Sequence, residues 1–167
     1  EISLGLVGSE MCIRDSAMRM LDGAKIPYEV RTYEFEETDL AGVHAADAVG
    51  MPYETVFKTL VARGDKTGFV VFCIPVAEEL DLKKAARASK NKSVELLHVK
   101  DLLPTTGYIR GGCSPVGMKK EFPTYIDETA MLFDAIAVSG GMRGVQLIVN
   151  PDQLLGFVKG EYVDLTA

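Results

Sequence analysis

The sequence predicts an α/β chain of the α+β kind, a mixed, curled, barrel-like β-sheet with helices packed around it. Three observations carry that prediction. Many short strand-like runs are interspersed with short helical runs along 167 residues, with no repeat and no linker. Two of these runs, 56–62 and 69–74, are too apolar to leave a face in water, as in interior strands. The length fits one domain with enough surface to bury a core.

Residues 1–16 do not fit the rest of the chain. They lack an initiator Met and clear periodicity, and they resemble translated sequencing-adapter read-through. The expectation is a non-native, poorly ordered leader over 1–16, Cys12 included, and a single domain over 17–167. A genuine N-terminal strand is the alternative. Ser16 is placed to cap a helix from Ala17 to about Ala24. Residues 27–34 alternate as a strand, with Tyr33 on the face opposite Tyr28 and Val30. Asp39 is placed to cap a helix running through Val43, Ala46 and Val49 to Gly50.

The run 56–62 puts Lys58 on one face with Val56, Leu60 and Ala62. A lysine there is costly to bury unless it meets a negative partner or opens onto a cleft. The alternative is an edge-strand lysine that snorkels outward. Gly64–Gly68 reads as a hairpin turn. A helix is expected over Glu78–Ser89, acidic at its start and basic at its end, as the helix dipole favours. Lys83, Lys84, Arg87 and Lys90 form a basic stripe on it, either a solvated face or a set of phosphate contacts. Short strands are expected over 94–97, 123–127, 135–139, 145–149 and 162–165, with a helical turn over 99–103. Asn150-Pro151 is a helix start, a cap followed by an N1 proline.

The centre of the chain is 107–120, Gly-Tyr-Ile-Arg-Gly-Gly-Cys-Ser-Pro-Val-Gly-Met-Lys-Lys. Gly111 and Pro115 frame a G-x-x-x-P arrangement. Pro115 fixes its own φ and pushes Ser114 towards an extended conformation. Either this is an ordinary turn, or it is a stiff loop offering main-chain amides to an anion or a polarised carbonyl. A second glycine-rich turn lies at 139–144.

Several function classes are excluded or disfavoured. No apolar run is long enough to span a membrane, and no signal-peptide pattern is present, which favours the cytoplasm. Three cysteines, widely spaced, give neither a disulfide framework nor a zinc pattern. His44 and His98 have no second ligand at helical spacing, so no metal is expected. No G-x-G-x-x-G, Walker A or G-x-S-x-G motif appears, and no cofactor is expected. A net charge of −6 argues against broad nucleic-acid binding but leaves a local basic patch open.

Taken together, 17–167 resembles the YbaK family of aminoacyl-tRNA deacylases, relatives of the editing domain inserted in bacterial prolyl-tRNA synthetases. The resemblance rests on Phe57-Lys58-Thr59-Leu60, Pro75-Val76 with Leu80-Asp81-Leu82-Lys83-Lys84, and Thr106-Gly107-Tyr108. It is strongest over Gly111–Lys120, then Pro123–Asp127 and Val138–Gly141. Ser-Pro-x-Gly-x-Lys-Lys is similar to the Cys-specific branch rather than the Ala-specific one. The resemblance implies the editing-domain fold, removal of cysteine from mischarged proline tRNA (or from Cys-tRNA(Cys)), and cleavage by the substrate's own thiol. It implies the tRNA acceptor end and prolyl-tRNA synthetase as partners.

Carried over by position, the resemblance gives Gly111 the carbonyl or the attacking geometry and Lys58 the ribose-phosphate or other polar groups of the substrate. Tyr33, Thr59, Gly112, Ser114, Pro115, Ser139, Gly140 and Gln146 would form the pocket. Lys83, Lys84, Arg87, Lys119 and Lys120 would touch the tRNA. Gln146 stands where many relatives carry an acid, which leaves Lys58 in need of another counter-ion or a lower pKa. Cys113 is read as packing. Hydrolysis of Ala-tRNA(Pro) by an activated water, and a non-catalytic tRNA- or synthetase-binding module, are the alternatives.

Overall fold

The computed structural model describes residues 9–36 and 42–167. In chain order the elements are α1 (Ser9–Gly23), β1 (Tyr28–Thr32), α2 (Gly42–Val49), β2 (Phe57–Gly64), β3 (Gly68–Pro75) and α3 (Leu82–Ala88). There follow β4 (Val94–Leu96), α4 (Val99–Thr106), β5 (Thr124–Asp127), β6 (Ile136–Ser139), β7 (Val145–Val149), α5 (Pro151–Val158) and β8 (Glu161–Val163).

The mixed α+β class is as expected, but the sheet does not close into a barrel. The strands divide into a three-stranded sheet, β1-β7-β6, and a five-stranded sheet, β4-β2-β3-β5-β8. The small sheet is antiparallel throughout. The large one is mixed: β2 pairs antiparallel with β3 and β4, while β5 runs parallel to both β3 and β8. Among the described residues a single parallel bridge, Val56 to Ala137, joins the two.

Side-chain alternation along each strand divides the core into layers. Phe57, Val61, Val71, Cys73 and Ile126 of the large sheet share one cluster with Ile136, Val138, Leu147 and Val149 of the small sheet, closed by Ala17 and Leu21 of α1. On the other face of the large sheet, Ala62, Val70, Phe72 and Ile74 receive Ala85 and Ala86 of α3. On the other face of the small sheet, Ala137 packs with Val56, Val76 and Ala46 of α2.

Several boundaries differ from expectation for local reasons. Ser16 lies inside α1, which begins at Ser9, so it is not a cap. The Asp39 cap lies outside the described residues. The third helix begins at Leu82 rather than Glu78, because the Asp81 carboxylate accepts from Lys83 N and Lys84 N and ends the preceding turn. The helical turn at 99 continues to Thr106 through Pro104 and stops at Gly107, which has φ 89°. Asn150 caps α5 as expected, accepting from Gln153 N. Among the described residues no helix is long and apolar enough to cross a membrane.

Candidate active site

The Val56–Ala137 bridge positions the site. In the small sheet, Ala137 faces Ile148, and two residues on Ser139 faces Gln146. Side chains two apart on a strand share a face. The row Val56, Ala137 and Ile148 is apolar and packs under α2. The next row along the same strands is Lys58, Ser139 and Gln146, and it is polar. Beyond the bridge the two sheets part. β4 pairs only with Ala62–Gly64, and Leu97 N donates to Val61 O. Residues 57–60 therefore have β3 on one side and an opening on the other.

That opening is a cleft of about 410 Å3. Its polar part comprises Tyr33, Lys58, Thr59, Ser139, Gln146, Arg110 and Gly111, and an apolar wall is supplied by Leu96, Leu97, Val99 and Leu102. Helix α2 contributes Gly42, Val43 and Ala45. Lys58 is thus both of the things its sequence context suggested: a lysine on a partly open edge and a cleft residue, half-buried. Burial lowers its pKa, a shift partly opposed by the carboxylates of Glu79 and then Glu78. Neither glutamate lines the cleft.

The central loop closes one side. Gly111 lines the cleft at φ 87°, a conformation that costs residues with a Cβ roughly 1–2 kcal/mol. Gly112 N closes a turn onto Ile109 O at 3.0 Å. Ser114 is fully buried and its Oγ accepts from Val116 N at 3.2 Å, while the Tyr108 hydroxyl donates to Val116 O. Ser114 and the buried Pro115 thus shape the loop without lining the cleft. Arg143 Nε donates to Arg110 O at 2.8 Å, tying this loop to the second glycine-rich turn. In that turn the Ser139 Oγ accepts from Gly141 N at 3.2 Å. Tyr33 is held against it by its own N–H, which donates to Gly144 O at 2.9 Å.

The structure brings together Tyr33, Lys58, Thr59, Gly111, Ser139 and Gln146 in one cleft. Gly112, Ser114, Pro115 and Gly140, also expected in the pocket, are buried and do not line it. The basic side chains expected to touch tRNA stand apart from it. Lys83 and Arg87 are exposed on α3. Lys84 Nζ is engaged by Asp164 at 2.9 Å and Thr166 O at 2.8 Å. Lys119 reaches back to Pro104 O at 3.4 Å, and Lys120 is exposed. Sequence reasoning passed over Arg110, although it adjoins Gly111, and also the apolar wall from β4 and α4.

Two thiols lie near the cleft, and burial pushes both pKa values up to about 12. For Cys113 a neighbouring Cys73 adds to the effect and a hydrogen bond with Thr106 opposes it; for Cys73 the opposing bond is with Thr59. Both thiols stay protonated near neutral pH, so Cys113 lines the cleft as a small packing group. Among the described residues the cleft contains no carboxylate and no imidazole. It offers the Gly111 main chain and the Lys58 ammonium, and among the described residues it holds no activated nucleophile.

This is an α+β domain with a ligand cleft at the fork between two sheets, of the aminoacyl-tRNA editing class. Residues 37–157 match the model of the aminoacyl-tRNA editing domain, and the chain belongs to that family. It is 49% identical over 153 residues to EbsC of Enterococcus faecalis (strain ATCC 700802 / V583), provisionally named a Cys-tRNA(Pro)/Cys-tRNA(Cys) deacylase; the match covers 92% of this chain and 93% of the relative. Uncharacterized protein YwhH of Bacillus subtilis (strain 168) is 24% identical over 124 residues, covering 74% of this chain and 78% of that protein. The fold matches the crystal structure of a provisionally named trans-editing enzyme for prolyl tRNA synthetase. That match has a TM-score of 0.82 and 24% identity, over 98% of this chain and 99% of that one.

Proposed function

We propose that this protein is a trans-editing deacylase that clears Cys-tRNA(Pro), and Cys-tRNA(Cys) where it meets it, using the substrate's own thiol. The observation that carries the reading is a cleft lined by Gly111 and Lys58 in which, among the described residues, the thiol is held protonated and no carboxylate or imidazole stands ready to activate a nucleophile. The name of the Enterococcus relative supports the same substrate.

The chemistry follows from what each side supplies. Cysteine and proline are similar in size, and a pocket separates near-isosteres by only about 1–3 kcal/mol. A size filter would therefore attack correct products as well. A free thiol, with a pKa of about 8.5, is a few per cent thiolate near neutral pH and a strong nucleophile. The thiolate sulfur attacks its own ester carbonyl carbon, forming a C–S bond and a tetrahedral oxyanion. Collapse breaks the C–O bond to the terminal ribose. The leaving oxygen takes a proton, balancing the one lost by the thiol, and departs as the tRNA hydroxyl. No water is consumed, and the amino acid leaves as a small-ring thioester. Proline has no thiol and is spared.

Gly111 would hold the carbonyl, and Lys58 would stabilise the negative charge that develops towards the leaving oxygen. Tyr33, Thr59, Ser139 and Gln146 would line the amino-acid site, with Gly112, Ser114, Pro115 and Gly140 fixing its walls. Lys83, Lys84, Arg87, Lys119 and Lys120 are carried as tRNA contacts, with Arg110 added at the cleft itself. The protein would meet its aminoacyl-tRNA in the cytoplasm. The net charge of −6 makes a partner that presents the tRNA, prolyl-tRNA synthetase, part of the proposal.

The test is release of labelled amino acid from Cys-tRNA(Pro) and Ala-tRNA(Pro), with wild type beside Lys58→Ala. Fast Cys release that collapses in the variant, with Ala-tRNA(Pro) untouched, supports the proposal. Preferential release of Ala overturns it in favour of an activated water. Binding without release, with prolyl-tRNA synthetase present, overturns it in favour of a binding module.

A further inference from the structure

Among the described residues one buried side-chain polar atom has no hydrogen-bond partner: Oε1 of Gln146. Gln146 is 6% exposed and lines the cleft. It sits mid-strand on β7, between Arg31 on one side and Ser139 on the other. Neither neighbour satisfies it. Arg31 Nε donates to Glu29 Oε2 at 2.7 Å and Nη1 to Val49 O at 3.3 Å; the Ser139 hydroxyl accepts from Gly141 N and, though it keeps a proton to donate, makes no bond to Oε1. Buried acceptors are rarely left unpaired, and one that is calls for an explanation. An acceptor can be satisfied only by a donor, and a charged N–H donor makes the stronger bond.

We infer that Gln146 Oε1 is the receptor for the substrate's free α-amino group, so that the site takes aminoacyl esters and rejects esters whose amine is acylated. The inference rests on the aminoacyl-ester reading of the site. In a cysteine ester of the terminal ribose the groups at hand are the carbonyl, the thiol, the neutral ribose hydroxyl and the ammonium. The carbonyl is an acceptor and cannot pair with Oε1. The thiol is a weak donor and must be free to ionise. The ammonium alone is a strong donor with no chemical task. Among the described residues no carboxylate lines the cleft to compete for it. An N-acylated ester, the chemistry of peptidyl-tRNA, has only a neutral amide N–H and a bulky substituent at that point. The same acceptor that holds the substrate would therefore keep nascent chains out.

The experiment compares Cys-tRNA(Pro) with N-acetyl-Cys-tRNA(Pro) on wild type, Gln146→Met and Gln146→Glu, reading kcat/KM and, without tRNA, the melting temperature. Acetylation should slow the wild type roughly 10- to 100-fold, the loss expected for one hydrogen bond to a charged group. It should matter little in Gln146→Met, which is already slow, and should matter again in Gln146→Glu, which keeps an acceptor. Gln146→Met should not lower the melting temperature, because it removes an unsatisfied group. Equal rates on both esters in the wild type overturn the inference while leaving deacylation intact. An acetylation penalty undiminished in a folded Gln146→Met also overturns it. Absence of Cys release from the unblocked ester overturns the underlying reading instead.

Discussion

Gly112 is where the central loop meets the second glycine-rich turn, and a single methyl group there tests how the site is held. A Cβ at Gly112 would lie 3.0 Å from Met142 Cα, 3.1 Å from Met142 C and 3.2 Å from Arg143 N. These are main-chain atoms and have no rotamer to escape into. Favourable contact begins near about 3.5 Å, so Gly112→Ala must part the two segments by roughly 0.3–0.5 Å. The Arg143 to Arg110 bond at 2.8 Å holds them together and opposes that shift. Overpacking of this kind costs about 1–3 kcal/mol. The displaced neighbour is Gly111, which lines the cleft. A misplacement of about 1 Å is worth about 100-fold in rate, so half of it gives roughly 10-fold on a logarithmic scale. The assay is kcat/KM for Cys release beside a thermal melt. Gly156→Ala, on a helix with nothing within 4 Å of its Cβ, serves as control and should gain about 0.5–1 kcal/mol in stability with an unchanged rate. A Gly112→Ala protein with native melting temperature and native rate would refute the reasoning.

Other outcomes follow from the same geometry. If the Lys58 ammonium acts as proposed, its pKa matters, and burial holds that pKa below the ordinary 10.5. Activity should therefore rise as the substrate thiol ionises near about 8.5 and fall again at a pH below 10.5; a pH profile with no alkaline limb below that value would count against Lys58. Cys113→Ala should keep its turnover, because a thiol pushed up to about 12 is no nucleophile at neutral pH, and should lose about 1 kcal/mol of packing. Loss of turnover with an intact melt would contradict this. Asp127 is 1% exposed and accepts from Thr129 N, Thr129 Oγ1 and Leu165 N. Asp127→Ala strands those donors and should cost about 2–3 kcal/mol in chemical denaturation, with little change in kcat once folded.

The strands and the loop at 107–120 were legible because their signals are local: apolar runs, a G-x-x-x-P loop, an Asn-Pro helix start. The helix over Glu78–Ser89 was read too long because its acidic beginning suits a helix N-terminus; the real start depends on which carboxylate captures Lys83 N and Lys84 N, and that is Asp81. That the curled, barrel-like sheet stays open has a different reason. Closure depends on how far the strands of two sheets remain paired, and among the described residues pairing between the β2 and β6 segments amounts to Val56 with Ala137 alone. That non-local fact also makes the cleft. Had the two strands continued in register, Lys58 and Ser139 would face each other across a ladder with no room between them. They part instead one step past an apolar row, and the row they open is polar. Single-sequence periodicity could place Lys58 on a face shared with Val56, but could not say that Ser139 and Gln146 stand in the same row, since their alignment comes from the pairing of Ala137 with Ile148. The candidate site thus lies where the side-chain pattern of these strands changes from apolar to polar within one strand, and the substrate-thiol chemistry proposed above would ask of it little more than an oriented ester and a cation.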